Sequence, residues 1–300
     1  MTLRIQEILE CKKAKNQPVF SFEFFPPKEE NGWLRLKQTI TSLQSLRPDF
    51  CSVTYGAGGS TRQHTLELVS KIYADTHIVP MMHLTCLGST VEQLREILKQ
   101  AKFNGIENVL ALRGDAPKQQ TNVESPFSAQ TSFRYASELV ALVHDEFKLC
   151  TGAACYPEGH PETREPRLNI EHTRQKVLAG AEFLITQLFF DPALYFDFVA
   201  RLRSAGIYTP VLPGIMPMTN LAQISRFTDM CGASIPQILK DQLLAVDDDP
   251  QATLQLGIAY ATHQCVRLLE GGAPGIHFYT LNRSVSTRAI LAALRASNWA

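Results

Sequence analysis

The chain has 300 residues, 45% of them hydrophobic, which is enough to bury a large core in one α/β barrel or in two ordinary domains. Lysine plus arginine and aspartate plus glutamate both number 29, so the net charge is zero and gives no electrostatic reason to expect nucleic acid or a membrane surface as a partner. The first residues, MTLRIQEILECKKAK, predict a short amphipathic helix rather than a signal peptide. We therefore expect a cytoplasmic protein that binds small molecules.

Eight short runs rich in β-branched or aromatic residues follow one another along the chain, separated by helical patterns. The first four begin at residues 19, 50, 79 and 108, which is the period of a βα unit. The eight runs are VFSFEF from Val19, FCSVTY from Phe50, VPMMHL from Val79, NVLAL from Asn108, LCTGAAC from Leu149, FLITQLFF from Phe183, VLPGI from Val211 and GIHFYTL from Gly275. They predict a single (β/α)8 TIM barrel over residues 1–300.

The connections between the strands refine this prediction. The clearest helix is TVEQLREILKQAKFNG, in which Thr90 and Gln93 predict a capping box and Gly105 marks the end. Residues 116–133 predict a long polar loop after strand four, and residues 216–273 leave room for extra helices between strands seven and eight. The rival fold is a doubly wound sheet, but no strand is followed by G-x-G-x-x-G, and YGAGGST at residues 55–61 only approximates it.

Metal and nucleophile chemistry have little support in the sequence. The seven cysteines are an odd set without C-x-x-C, which favours reduced core thiols. His83, His160 and Glu158 lack the spacing of H-E-x-x-H, so we expect no metal. No G-x-S-x-G motif occurs, and no lysine stands at a predicted strand end, which argues against serine-nucleophile and Schiff-base chemistry.

The active site of a TIM barrel lies at the carboxyl ends of its strands, where this sequence places polar residues in register. Glu23 stands among four phenylalanines, and a carboxyl group surrounded by phenyl rings keeps its proton near neutral pH. Glu23 is therefore a candidate general acid. The alternative, a solvated residue on an edge strand, requires a fold other than a closed barrel.

Eight motifs, in this order and spacing, resemble those of bacterial methylenetetrahydrofolate reductases: SFEFFPPK, VTYGAGGST, HLTC, LRGD, YPEGHPE, TQLFFD, LPGIMP and FYTLNRS. The resemblance covers nearly the whole chain. It implies a homo-oligomeric flavoprotein whose FAD accepts hydride from NADH. The substrate 5,10-methylenetetrahydrofolate then enters the same pocket and is reduced to 5-methyltetrahydrofolate. We expect no regulatory domain of the kind found in larger eukaryotic relatives.

The resemblance also implies roles for individual residues. FAD would contact Thr54, Tyr55, Ala57, His83, Arg113, Gly114, Asp115, Tyr135, Ala136, Ala154, Tyr156, His160, Asn169, His172 and Lys176. The folate would contact Glu23, Gln187, Gln223, Phe227, Tyr279 and Arg283. Glu23 would protonate the folate, and Asp115 would stabilise the resulting cation. Many relatives have an acidic residue in place of Asn169, Asn in place of His172 and Arg in place of Gln175, so the outer FAD contacts would differ here.

Two alternative functions stay open at this point. One is a phosphate-ligand TIM-barrel lyase or isomerase without flavin, which would bind phosphate through the loops after strands seven and eight. The other is a non-enzymatic barrel that binds flavin or folate without turnover. NADH is favoured over NADPH because no basic cluster suits a 2′-phosphate.

Overall fold

The structure, a computed structural model, describes residues 3–27, 29–55, 62–114, 132–163, 165–297 and 299, apart from the side chains of residues 62, 63, 221 and 223. Its sheet has nine strand segments, and every hydrogen-bonded neighbour pair is parallel. They are β1 (Val19–Phe24), β2 (Phe50–Val53), β3 (Val79–Thr85), β4 (Asn108–Leu112), β5 (Cys150–Cys155), β6 (Phe183–Thr186), β7 (Val211–Leu212), β8 (Gly214–Ile215) and β9 (Gly275–Tyr279).

The strand order, β7-β6-β5-β4-β3-β2-β1-β9-β8, confirms the predicted TIM-type barrel. The predicted seventh strand, VLPGI, is the one place where the strand count differs. Pro213 has no N–H to donate to the ladder, so this run forms two short segments. Because β7 pairs with β6 and β8 pairs with β9, the two segments together close the barrel. The predicted sixth strand was too long, since β6 ends at Thr186.

Apart from the first, the helices follow the strands and pack outside them. They are α1 (Ile5–Ala14), α2 (Glu30–Gln44), α3 (Arg62–Thr76), α4 (Val91–Phe103), α5 (Ala136–Ala141), α6 (Pro166–Leu178), α7 (Pro192–Ser204), α8 (Leu221–Cys231), α9 (Gln237–Leu244), α10 (Pro250–Glu270) and α11 (Val285–Ala296), with a π-helical turn at Leu142–Glu146. The extra helices predicted between strands seven and eight are α8 and α9, which precede α10. Most of the loop predicted at residues 116–133 lies outside the described residues. None of the helices described is long and apolar enough to cross a bilayer.

Alternation along β1 shows how the sequence divides between the two faces of the barrel wall. Phe20, Phe22 and Phe24 pack into the core between the strands and the outer helices. Val19, Ser21 and Glu23 alternate with them and point into the barrel, because successive strand side chains point to opposite faces. The barrel interior thus changes from apolar to polar along one strand.

The amino end of the barrel is closed by α1. Ile5 and Leu9 of this helix are buried against the interior side chains Val19, Phe50 and Phe183. The backbone N–H of Ile5 donates to Asn108 Oδ1 at 2.8 Å, which fixes the start of the helix on β4. With this end closed, a ligand must enter from the carboxyl ends of the strands.

Candidate active site

A cavity of about 330 Å³ opens at the carboxyl ends of the strands. We call it the central cavity. Its polar and aromatic wall is contributed by almost every strand, because the parallel strands all end at this face. The wall includes Glu23, Thr54, Tyr55, His83, Thr85, Arg113, Gly114, Tyr156, His160, Thr186, Gln187 and Tyr279. The polar residues predicted at separate strand ends therefore lie together.

The surroundings of Glu23 differ from those expected. The neighbouring phenylalanines Phe22 and Phe24 face the outer helices, so the expectation of a carboxyl group surrounded by phenyl rings was wrong. Instead, Oε2 of Glu23 lies 3.6 Å from His83 Nε2 and 3.7 Å from His277 Nε2. The Glu23 side chain is 18% exposed, so it is reachable from the cavity. It is a carboxyl group between two imidazoles, at the inner end of the central cavity.

His83 is buried beside Glu23 and faces the same cavity. Burial lowers the pKa of His83 to about 4, an effect that the Glu23 charge opposes and His277 reinforces. His83 is therefore neutral at pH 7. Its Nε2 is buried and has no hydrogen-bond partner among the described residues. A buried ring nitrogen without a partner marks a place where a polar ligand atom would be stabilised.

We expect His83 to make the stability of the protein depend on pH. The unfolded side chain takes up a proton below about pH 6.5, whereas the folded one does so only near pH 4, so stability is lost as the pH falls between these values. The loss attributable to His83 is on the order of 3 kcal/mol. Urea unfolding of the protein from pH 7 to pH 4.5 would show it, and His83→Asn should remove much of it. The exposed His64 provides the control, since His64→Asn should keep the wild-type slope; equal slopes for all three proteins would contradict the assignment.

Tyr279 stands at the end of β9 and forms part of the wall of the central cavity. Its hydroxyl donates to the backbone oxygen of Thr186 at 2.5 Å, and burial raises its pKa well above the usual value. Gly214 makes this contact possible, because a Cβ there would lie 2.5 Å from the Tyr279 hydroxyl and 2.6 Å from the Thr186 oxygen. Tyr279 is therefore a fixed phenol that remains protonated at neutral pH.

A second cavity of about 320 Å³, the outer cavity, lies between β4, β5 and the helices α5 and α6. It shares Leu112, Arg113, Ala154, Tyr156 and His160 with the central cavity. Its remaining polar and aromatic wall consists of Tyr135, Ser137, Glu162, Thr163, Asn169, His172, Gln175 and Lys176. The two cavities together form one elongated cleft that runs from the barrel centre to the outside.

Lys176 brings a buried positive charge to the outer cavity. Its Nζ donates to the backbone oxygen of Ala154 at 2.5 Å and lies 5.7 Å from the centre of the Tyr156 ring. Burial lowers the pKa of Lys176 to about 8, so the amine is still mostly protonated at pH 7. In the described part of the chain, no carboxylate forms an ion pair with it. A buried cation without a carboxylate partner suits an anionic ligand.

The junction of the two cavities is formed by Arg113 and Gly114. Arg113 Nη1 lies 2.6 Å from Glu162 Oε2, which ties the end of β4 to the loop after β5. Gly114 has a φ of 82°, and a Cβ at this position would lie 2.9 Å from the Thr85 Cβ. Only glycine fits this backbone without strain, and its lack of a side chain keeps the junction open.

Two of the residues that depart from the common bacterial pattern have structural partners in this chain. Asn169 donates through Nδ2 to the backbone oxygen of Tyr156 at 2.6 Å and so supports the loop after β5. The His172 ring lies 6.5 Å from the ring of Tyr135 at an angle of 35°, on the wall of the outer cavity. Gln175 lines the same wall.

The remaining predicted site residues lie elsewhere or are not described. Phe227 lies on α8 and packs partly buried in an apolar cluster with Leu188, Phe190 and Met218, outside both cavities. Arg283 lines a separate cavity of about 460 Å³ together with Phe25, Arg35 and Asn282. Ala57 and Asp115 lie outside the described residues, as does the side chain of Gln223. The roles of these five residues, like those of the other predicted site residues, stay predictions.

Sequence reasoning missed His277, which stands two residues before Tyr279 on β9. Its ring is fully buried, with Nδ1 2.8 Å from Ser21 Oγ and Nε2 3.5 Å from Ser52 Oγ. Alternation along GIHFYTL places His277 and Tyr279 on the same face of the strand, so the sequence pattern could have identified His277 as a neighbour of the site. Five of the seven cysteines are buried, as expected. Among the described residues, no cluster of three or more His, Cys, Asp and Glu side chains could hold a metal ion.

The whole chain is similar to proteins of a known family. Residues 4–295 match the family model described as methylenetetrahydrofolate reductase.

The chain belongs to the methylenetetrahydrofolate reductase family.

Its relatives include "5,10-methylenetetrahydrofolate reductase" of Escherichia coli, which is 37% identical over 278 residues, covering 93% of this chain and 91% of the E. coli protein. "Methylenetetrahydrofolate reductase (NADH) 1" of Arabidopsis thaliana is 36% identical over 300 residues, covering 96% of this chain. The chain spans about half the length of the plant reductase, 50%. The family resemblance expected from the eight sequence motifs is thus confirmed.

A solved structure supports the fold independently. It is described as "Uncharacterized protein from Clostridium thermocellum binds two copies of 5-methyl-5,6,7,8-tetrahydrofolic acid" and superposes with a TM-score of 0.63, covering 97% of this chain and 99% of its own. The sequence identity is 17%, so this likeness concerns the fold alone.

Proposed function

We propose that this chain reduces 5,10-methylenetetrahydrofolate to 5-methyltetrahydrofolate with NADH, through FAD bound in the elongated cleft. The observation that supports the proposal most strongly is that a chain of this family gathers thirteen of the fifteen predicted FAD contacts around one cleft. The other two, Ala57 and Asp115, lie outside the described residues.

The residues present fit FAD. The cleft has an inner and an outer part, as a flavin joined to an adenosine diphosphate requires. The protonated amine of Lys176 offers the outer part a positive charge, which suits a diphosphate. The Nε2 of His83, which has no hydrogen-bond partner among the described residues, offers the inner part a polar contact. We propose that Arg113 and Gly114 accommodate the middle of the cofactor at the junction of the two cavities.

Bound FAD would supply a hydride carrier that takes two electrons from NADH and passes them to the folate. The protein would position the two substrates, place charged groups beside them and donate a proton to the folate. NADH and the folate would use the central cavity in turn, because Glu23, Gln187 and Tyr279 all line this single space. A ping-pong sequence follows from one site that serves two substrates.

Glu23 is the proposed proton donor. A proton transferred from Glu23 to N10 of the folate breaks the bond between N10 and the methylene carbon, and the electron pair of that bond goes to N10. The methylene group is then held by N5 as an iminium cation, which accepts hydride at carbon to become the methyl group. A positioned acid of this kind typically contributes ~10² to 10⁴ in rate.

Other residues would bind the folate or stabilise its charge. The amide of Gln187, which accepts the N–H of Leu188 at 2.8 Å, lies at the cavity wall where it can pair with a pterin edge. We propose that Asp115 stabilises the iminium cation electrostatically. Arg283 would bind a carboxylate of the glutamate tail, since its separate cavity continues the ends of β1 and β9. We also propose a homo-oligomer, which light scattering after size-exclusion chromatography would detect.

A steady-state assay tests the proposed reaction. Under anaerobic conditions the chain, reconstituted with FAD, should oxidise more than one NADH per flavin only when 5,10-methylenetetrahydrofolate is present, and mass spectrometry should find one 5-methyltetrahydrofolate for each further NADH consumed. NADH oxidation that is indifferent to the folate, with no methyl product, would overturn the proposal. A chain that binds no flavin would favour the phosphate-ligand barrel instead.

A further inference from the structure

The oxygen of Glu23 that faces His83 also faces a second imidazole, that of His277. The distance from Glu23 Oε2 to His277 Nε2 is 3.7 Å, which is an electrostatic contact rather than a short hydrogen bond. His277 is fully buried, whereas His83 lines the central cavity. Unlike His83, His277 does not line either cavity of the cleft. Its ring nitrogens instead contact Ser21, Ser52 and Glu23 inside the protein.

Packing on two sides fixes the plane of the His277 ring. It stacks against Phe50 with ring centres 6.1 Å apart and an angle of 16°, and it meets the Tyr279 ring edge-on at 5.4 Å and 90°. The backbone N–H of His277 donates to the oxygen of Pro213 at 3.0 Å. The ring nitrogens therefore keep fixed directions relative to β1.

The hydroxyl groups of Ser21 and Ser52 are the hydrogen-bond partners of the two ring nitrogens of His277. Ser21 Oγ lies 2.8 Å from Nδ1, and a hydroxyl can donate or accept. When it donates to Nδ1, the imidazole proton resides on Nε2, and this N–H faces Glu23 Oε2 and Ser52 Oγ. A carboxylate that has lost its proton attracts an N–H dipole electrostatically, so loss of the Glu23 proton favours this tautomer.

We propose that His277, with its tautomer set by Ser21, is a positioning residue that orients the Glu23 carboxyl group for proton transfer to the folate. The inference rests on the proposed function of Glu23. The Nε2–H dipole attracts one oxygen of the Glu23 carboxyl group from the barrel interior across 3.7 Å, and this attraction favours one orientation of the carboxyl group. A buried network of this kind holds a catalytic group within the narrow geometric range that proton transfer requires.

The first test is His277→Gln in the FAD-loaded chain, with the two half-reactions measured separately by anaerobic stopped-flow spectroscopy. Reoxidation of the reduced flavin by 5,10-methylenetetrahydrofolate should slow by about tenfold to a hundredfold, the cost of a misplaced catalytic group. Flavin reduction by NADH should keep its rate, because it needs no proton from Glu23. Equal slowing of both half-reactions would show a merely structural role and overturn the proposal.

Ser21→Ala provides a milder variant in case His277→Gln does not fold. It removes one hydroxyl group and keeps the imidazole, and it should slow only the folate half-reaction. The double variant Glu23→Gln/His277→Gln should be no slower than Glu23→Gln, because His277 acts through Glu23. Additive losses would overturn the proposal.

The outcomes separate this inference from the proposed function. If Glu23→Gln does not selectively lose the folate half-reaction, the role of Glu23 fails. If Glu23→Gln behaves as expected while His277→Gln and Ser21→Ala both keep the wild-type folate rate, only the positioning role of His277 fails.

Discussion

Glu23→Gln should abolish reduction of the folate while flavin reduction by NADH proceeds almost as in the wild type. The amide keeps the size of the side chain and its position on β1 but cannot donate the proton that opens the folate ring. Glu23 lies at the inner end of the central cavity with its side chain 18% exposed, so a ligand in the cavity reaches it. We expect a loss of ~10² to 10⁴ or more in the rate of flavin reoxidation.

Anaerobic stopped-flow spectroscopy separates the two half-reactions through the visible flavin absorbance. The exposed Glu10, which lies on α1 at the closed end of the barrel, provides a matched control. Glu10→Gln should keep both rates. Equal loss of both half-reactions in Glu23→Gln would remove the general-acid role, since a damaged flavin site would then explain the result.

Lys176→Met should weaken FAD binding without destabilising the FAD-free protein. The lysine amine is buried, contacts the oxygen of Ala154 and has no carboxylate partner in the described part of the chain. Losing a charge-assisted hydrogen bond of about 1.5 to 3 kcal/mol would weaken FAD affinity roughly tenfold to 150-fold. Removing a buried charge also removes its desolvation cost, so the FAD-free variant should unfold at an equal or higher urea concentration.

The pH dependence of FAD binding checks the same assignment. Burial lowers the pKa of Lys176 to about 8, so FAD affinity in the wild type should fall as the pH rises through this value and the amine loses its proton. Lys176→Met should lack this step, and Lys99→Met, at an exposed position on α4, should retain it. Fluorescence titration with FAD at pH 7 and pH 9 makes the comparison. The same affinity for Lys176→Met and wild type at pH 7 would contradict the role of the lysine.

The barrel was predictable because its strands have a regular period and strong β propensity. The predicted starts of β1 to β4 at residues 19, 50, 79 and 108 are those of the structure. The interruption at Pro213 was readable in principle, because proline cannot donate to a sheet ladder. Here the length of VLPGI concealed it, since the run on each side of the proline is only two residues long.

The site was predictable as a set of strand ends but not in its internal contacts. Strand alternation places Glu23 on the face opposite that of Phe22 and Phe24. The run VFSFEFF indicates a phenyl environment only if residues adjacent in sequence are also adjacent in space. The true neighbours, His83 and His277, come from strands far apart in the chain. Contacts across a barrel depend on the register between strands, such as Ser21 beside His277, which a single sequence does not specify.

Lys176 illustrates a further limit of sequence reasoning. It was predicted only through the family resemblance, because it lies on α6 and not at a strand end. An isolated lysine on a helix normally faces solvent, and nothing in the local pattern indicates that its amine reaches back to β5. The structure shows this reach through the contact with Ala154.

The most direct test of the central claim is a two-step anaerobic titration of the FAD-loaded chain. NADH added first should bleach the visible flavin absorbance, and 5,10-methylenetetrahydrofolate added next should restore it with formation of 5-methyltetrahydrofolate. Bleaching and full recovery on the same protein would establish that one cleft serves both substrates. Bleaching by NADH without any recovery on addition of the folate would contradict the proposed reaction.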